Sequence, residues 1–293
     1  MTHQEPLHLF RHAEQNNYAI GAFSPRNTIL IEAVLNAGQQ RSSPVIVQIS
    51  SNELKWFSLS AKEFAAAFHD LRMNYAIPSI LHLDHTSDPQ LVIAAIDAGF
   101  ESVMIDGSRF SFDENIRMVR EVVSYAHPRG VIVEAELGCI GGTDKLETGH
   151  DETLYTDPKQ ARDFVLASEC DLLAVSVGTA HGVYQVKDPK IDFERLAQIH
   201  TLTPVPLVLH GGSGLSAQTI HRGIANGIRK VNIATDLEIA FQQVTGQERM
   251  PDRQTRKLDP SLLIKAMAAV EALVEDRIEN FLLSANQISS GTD

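Results

Sequence analysis

A (β/α)8 TIM barrel with a long C-terminal helix is the fold this sequence predicts, and three observations predict it. Eight short runs rich in β-branched and aliphatic residues alternate with helical patterns along nearly the whole chain. Most of these runs are continuously apolar rather than alternating, as parallel strands covered on both faces require. Polar, charged or glycine residues stand where the runs stop, and in a barrel those ends all fall on one rim.

The strands are expected at residues 18–23, 44–50, 78–84, 102–106, 131–136, 171–177, 205–210 and 228–234. Between them helical spacing shows in Ile29-Leu-Ile-Glu-Ala-Val-Leu35 and Leu91-Val-Ile-Ala-Ala-Ile96. Three helices announce their starts with Asp88-Pro89, Asp157-Pro158 and Asp259-Pro260. Aspartate accepts from the free amides of a first turn, and the fixed φ of proline suits the first helical position. A further helix is expected from about Ser216, and the last from Pro260 to about Ala285. Residues 1–293 thus form a single domain, with the barrel over about 18–246 and a helical extension over about 258–286. An open doubly wound sheet is the competing fold. It would carry a glycine-rich turn after the first strand, and Phe23-Ser-Pro-Arg-Asn27 has none.

The net charge of −12 argues against a nucleic-acid partner, which needs a basic surface. It does not exclude a phosphorylated substrate, because backbone amides at helix N-termini bind phosphate without changing the net charge. Two cysteines, Cys139 and Cys170, make no disulfide framework and suit a reducing cytoplasm. Cys139, beside a glycine-rich loop, is read as a small buried thiol rather than a nucleophile or ligand. The first residues lack a basic stretch followed by an apolar one, so no secretory signal is expected. No apolar run approaches the roughly 20 residues that span a bilayer, so no membrane partner is expected.

The rim carries Ser24, Ser50, Asp84-His85, Asp106, Glu136, Gly178 to His181, His210-Gly211, and Asn232 with Thr235. Each alone could be a solvated strand end or a helix cap. Together they contain three histidines, His85, His181 and His210, and three imidazoles with an open position are a catalytic zinc set. Asp84 beside His85 leaves one of the pair free for proton transfer. His82 shares the strand face of Asp84 and supports the site or packs beneath it. Asp106 and Glu136 could hold a second cation or an alternative position of the first. Gly211-Gly-Ser-Gly214 and Asn232-Ile-Ala-Thr-Asp236 each lead into a helix, and barrels frequently bind phosphate between those two loops. The glycine-rich stretch 138–149 suits a lid. An imine-forming route would need a lysine in the barrel. Lys230 is the lysine in a predicted strand, and that route would leave the histidines without a role.

Five motifs make the pattern specific: His82-Leu-Asp-His85, Val133-Glu-Ala-Glu-Leu-Gly138, Gly178-Thr-Ala-His-Gly182, Leu209-His-Gly-Gly-Ser-Gly214 and Lys230-Val-Asn-Ile-Ala-Thr-Asp236. In this order, from about residue 18 to 240, they resemble the class II, zinc-dependent fructose-bisphosphate and tagatose-bisphosphate aldolases. The resemblance implies reversible cleavage of a ketose 1,6-bisphosphate or 1-phosphate to dihydroxyacetone phosphate and an aldehyde, with zinc stabilising the enediolate. It assigns zinc to His85, His181 and His210, and proton transfer at the C4 hydroxyl to Asp84. Asp106 and Glu136 match a second metal position. Ser50, Gly182, Gly211, Gly212, Ser213, Asn232, Ile233, Ala234 and Thr235 match the substrate site, where a monovalent cation is also usual. A homodimer or homotetramer is the implied assembly.

The chain departs from the family twice. Thr143-Asp144-Lys145 replaces a Glu-Asp pair after the loop glycines, leaving Asp144 or Glu147 as the lid carboxylate. Ser261 follows Asp259-Pro260 where an arginine is usual. Either Arg26 or Arg109 has then taken over the distal anion, or the aldehyde half carries no phosphate. Two other readings compete: a non-catalytic companion subunit of such an aldolase, and a metal-dependent barrel isomerase or hydrolase.

Overall fold

Apolar runs at all eight expected places form strands. In the computed structural model, which describes residues 4–140, 154–182, 184, 189–247 and 250–288, they close into a parallel barrel in chain order. They are β1 (Ile20–Phe23), β2 (Val45–Ser50), β3 (Ser79–Asp84), β4 (Ser102–Ile105), β5 (Ile132–Leu137), β6 (Leu172–Val175), β7 (Leu207–Leu209) and β8 (Ile228–Ile233). β1 pairs with both β2 and β8, with Ala22 opposite Asn232, so the ring has no free edge. β6 stops two residues earlier than expected because the Ser176 amide leaves the ladder to bond the Thr156 hydroxyl at 2.8 Å.

Helix α1 (Gln4–Gln15) precedes the barrel and α2 (Ile31–Gln40) follows β1. After β2 come α3 (Ser51–Trp56) and α4 (Ala61–Arg72). Helices α5 (Pro89–Asp97), α6 (Phe112–Ala126), α7 (Pro158–Ser168), α8 (Phe193–Leu202) and α9 (Ala217–Ala225) follow β3 to β7 in turn. After β8 come α10 (Thr235–Thr245), α11 (Asp252–Thr255) and α12 (Pro260–Asp276). The three Asp-Pro pairs cap α5, α7 and α12, each aspartate accepting from first-turn amides. The last helix is shorter than expected, because it passes into a π-helical turn over Arg277–Phe281. Its buried face, Ala266, Val270 and Val274, packs on α2 and α10 of the same chain. No helix among the described residues is long and apolar enough to cross a membrane.

Two apolar layers result from the period-two alternation of strand side chains. Outward residues such as Leu81, Leu83, Val103 and Val133 pack against the helices through Phe64, Phe68 and Phe164. Inward residues Ile20, Ile46, Ile80, Ile132, Leu172 and Val208 fill the lower barrel, and Phe10 and Ala13 of α1 close its N-terminal mouth. Above this floor the inward positions turn polar. β3 runs Ile80, His82, Asp84 and β5 runs Ile132, Glu134, Glu136, all buried. The interior is therefore an apolar plug below and a polar site above.

Candidate active site

The backbone of His85 turns at φ +27°, in the left-handed region that disfavours side chains. The Ser51 hydroxyl holds this turn by donating to the His85 carbonyl at 2.8 Å. The kink lets Asp84 follow the inward face of β3 while His85 swings across the rim. There its ring lies edge-on to those of His181 and His210, with centroids 4.8 and 4.5 Å away. The ligand nitrogens of all three histidines lie within 4.8 Å of one another.

Two carboxylates orient this cluster from outside. His85 Nδ1 lies 3.2 Å from Asp106, and His210 Nε2 lies 2.9 Å from Glu134. If each of these nitrogens donates its hydrogen, the remaining nitrogens, His85 Nε2 and His210 Nδ1, point bare lone pairs at each other. They stand 2.7 Å apart. Two acceptors that close need a positive charge between them, a proton or a metal ion. Burial opposes charge on His85, yet Asp84, the Asp106 hydrogen bond and Glu136 outweigh it and raise the imidazole to about 10. Burial, with His85 beside them, lowers His181 to about 4 and holds His210 well below its ordinary value. Glu136 reaches toward the same point, and burial with Asp106 nearby pushes it up to about 8. Its Oε2 is buried without a hydrogen-bond partner among the described residues, 3.8 Å from His210 Nδ1. His85, Asp106 and Glu136 form a second group with metal-binding spacing. Three imidazoles and an under-satisfied carboxylate suit zinc better than magnesium, which takes oxygen ligands.

Asp84 is 6% exposed and held by two amides: Asn232 donates to Oδ1 at 3.0 Å and Gln48 to Oδ2 at 3.4 Å. Burial alone would raise its pKa, but the fields of His85, His210 and Lys230 overcome this and keep the carboxyl below its ordinary value. Gln48 also donates to Ser24, which joins the β1 end to the same network. Beneath lies a second polar tier in which Lys230 bonds Glu134 at 2.8 Å, with both side chains buried. Gln48 and Glu134 were not among the residues singled out from sequence. Their inward parity on β2 and β5 was the available signal.

The other sequence-predicted residues fall around this centre. Ser50 ends β2, but its hydroxyl caps α3 by accepting from Glu53 N. Gly182 follows His181 at φ +102°. The Ser213 hydroxyl accepts from the amides of Ala234 and Asp236 at 3.2 Å each, which pins the β7 loop to the first turn of α10. Gly212 donates to the Asn232 carbonyl at 3.0 Å, so the two glycine- and threonine-bearing turns meet. Ile233 points into the outer layer, so only its backbone faces the rim, and Thr235 opens α10. The Tyr184 hydroxyl ties the β6 and β7 loops by accepting from Ala180 N and donating to the Gly211 carbonyl, both at 2.9 Å.

Asp144 and Glu147 lie outside the described residues. Arg26 is paired with Glu53 at 3.0 Å and also with Glu238. Arg109 is exposed after β4, and Ser261 bonds the Asp259 cap. One expectation needs correcting: Cys139 is only half-buried, because it sits on the turn that leaves β5. Cys170 is the buried thiol, and burial pushes it up to about 12.

A family profile described as fructose-bisphosphate aldolase class-II matches residues 4–287. Among solved structures, the YdjI aldolase from Escherichia coli K12 is 31% identical with a TM-score of 0.83, the match covering 97% of this chain and 99% of that one. Fructose-bisphosphate aldolase (Fba) from Campylobacter jejuni is 26% identical with a TM-score of 0.80, over 98% of this chain and 96% of that one.

Proposed function

The chain belongs to the class II fructose-bisphosphate aldolase family, an aldolase and hence a lyase, and from that premise we propose a zinc-dependent cleavage of ketose phosphates. The substrate is a ketose 1-phosphate or 1,6-bisphosphate, and the products are dihydroxyacetone phosphate and an aldehyde. One observation carries this reading: three imidazoles converge within 4.8 Å beside a buried carboxylate, on the rim where barrels build their sites.

His85, His181 and His210 would hold the zinc, and Asp106 and Glu136 offer a position for a second divalent or monovalent cation. When bound, the cation supplies Lewis-acid stabilisation of the charge left on the dihydroxyacetone phosphate half as C3–C4 breaks. Asp84 takes the C4 hydroxyl proton in cleavage and returns it in condensation. Its low pKa keeps it ionised for that task, and the amides of Asn232 and Gln48 fix both of its oxygens. Asn232 therefore acts here through Asp84. The backbone of Gly182, Gly211, Gly212, Ser213 and residues 233–235, with Ser50 across the rim, surrounds the phosphorylated half. Helix α10 points its N-terminus at that place, where an anion is favoured. Residues 1–293 act as one domain, assembled as a homodimer or homotetramer in the cytoplasm.

The distal end favours a 1-phosphate. Arg26 is neutralised by two carboxylates, and Arg256 is committed to Asp252 at 3.0 Å. Phosphate recognition needs an available guanidinium fork, and among the described residues at this end of the barrel the exposed Arg109 and Arg253 remain as candidates. The test is condensation of dihydroxyacetone phosphate with phosphorylated and unphosphorylated aldehydes by the zinc-loaded enzyme, with bound metal measured alongside. Bound zinc without condensation would indicate a companion subunit. Turnover of ketose phosphates without dihydroxyacetone phosphate would indicate an isomerase or hydrolase. A strong bisphosphate preference abolished by Arg109→Ala would place the distal phosphate on Arg109.

A further inference from the structure

The barrel interior beneath the histidines holds an ion pair with no contact to solvent. Glu134 and Lys230 are both 0% exposed, and Lys230 Nζ lies 2.8 Å from Glu134 Oε2. Such a pair seldom stabilises a fold better than apolar side chains of equal volume, because desolvating two charges offsets their attraction. Its place on inward positions of β5 and β8 therefore asks for another reason.

The hydrogen-bond directions supply one. An ammonium has only donors and a carboxylate only acceptors. Lys230 donates to Glu134 Oε2 and faces His82 Nε2 at 3.4 Å. The ammonium has only hydrogens to offer, so His82 Nε2 is the accepting nitrogen and Nδ1 donates to the Ser102 hydroxyl at 2.7 Å. Glu134 Oε1 then has one hydrogen to accept, that of His210 Nε2 at 2.9 Å. Once this bond is made, His210 must present Nδ1 as a bare lone pair at the rim. Lys230 also stands beside the third group with metal-binding spacing, His82, Asp84 and Glu134.

We propose that Glu134 and Lys230 are positioning residues: the buried pair fixes the tautomer of His210, so that its Nδ1 lone pair faces the metal position. This rests on reading His210 as a metal ligand, and the test separates the two ideas. Glu134→Gln alone would set its amide hydrogens against the ammonium, so the informative variants remove both charges. In Glu134→Gln/Lys230→Met the amide oxygen still accepts from His210 Nε2. In Glu134→Leu/Lys230→Met nothing does. Zinc affinity is measured by competition with a chromophoric chelator, and folding by thermal unfolding of the metal-free proteins. The glutamine variant should bind zinc within a few-fold of wild type, and the leucine variant about 10- to 100-fold more weakly, the usual loss when a ligand's supporting group is removed. Equal zinc affinity in both would overturn the proposal and leave the pair a purely structural element. Long-range ¹⁵N–¹H spectra of metal-free wild type give a check that needs no variant. They should show His210 protonated at Nε2, and protonation at Nδ1 would also overturn it. Absence of zinc binding in wild type would defeat the ligand reading while leaving the tautomer measurement to judge the pair.

Discussion

Replacing Asp84 by asparagine removes a proton acceptor while leaving almost everything around it in place. The side chain keeps an oxygen for Asn232, which now donates to Oδ1 at 3.0 Å. It turns an amide toward Gln48, whose bond to Oδ2 is already long at 3.4 Å. The structural loss is therefore one weak hydrogen bond, about 0.5–1.5 kcal/mol. The chemical loss is larger, because a positioned acid–base group contributes about 10²- to 10⁴-fold, or about 2.7–5.4 kcal/mol at 1.36 kcal/mol per decade. Cleavage can be followed by coupled detection of dihydroxyacetone phosphate, and exchange of its C3 proton by NMR in heavy water. Asp84→Asn should bind zinc stoichiometrically and lose cleavage by at least about 10²-fold. Exchange should fall far less, since that step does not use the C4 hydroxyl. Equal losses in both reactions would show that Asp84 shapes the metal site rather than moving the C4 proton. Undiminished cleavage would assign the base elsewhere.

Removing zinc with a chelator should abolish activity, with zinc or cobalt restoring it; full activity in the metal-free protein would refute the metal role. Zinc affinity should also rise with pH. His85 is raised to about 10, so it keeps its proton below that value and must release it on binding. This gives about tenfold tighter binding per unit between roughly pH 6 and 9, and a pH-independent affinity would remove that proton from His85. A slope steeper than one proton below pH 8 would bring Glu136, raised to about 8, into the coordination. Gly211→Ala should lower zinc affinity and cost about 1–3 kcal/mol. Its φ is +69° and an added Cβ would lie 2.2 Å from the Ala180 carbonyl, between the loops that carry His181 and His210; unchanged affinity would mean those loops yield freely. Asp252→Ala should cost about 1–3 kcal/mol in urea unfolding, because Asp252 accepts from both the amide and the hydroxyl of Thr28, at 2.6 and 2.7 Å.

The strands were legible because a parallel strand covered on both faces must be apolar along its whole length, a pattern that needs no knowledge of its neighbours. The aspartate-proline helix starts were legible for a similar reason, since the cap acts within three residues. Helix α1 was not legible. Leu7, Phe10 and Ala13 lie at helical spacing, but what they cover is the mouth of a barrel assembled from residues up to two hundred positions away. The early end of β6 was equally hidden, since it depends on the Thr156 hydroxyl twenty residues earlier.

At the site, topology did the work that local pattern could not. A closed barrel brings every strand end to one rim, so His85, His181 and His210 could be grouped although 125 positions separate the first from the last. Depth within the barrel is what the sequence concealed. Glu134 and Glu136 are the same residue type on the same face of β5, and two strand positions differ by about 6.4–6.8 Å along the chain. That interval decides their chemistry. The upper carboxyl looks across at His85 and His210 with one oxygen unpartnered among the described residues, whereas each oxygen of the lower one accepts a hydrogen bond, from Lys230 or His210. Lys230 shows the same point from the other side. A lysine inside a barrel reads from sequence as a candidate nucleophile. Its Nζ instead donates to a buried carboxylate below the histidines, and an ammonium so paired has no lone pair with which to attack a carbonyl.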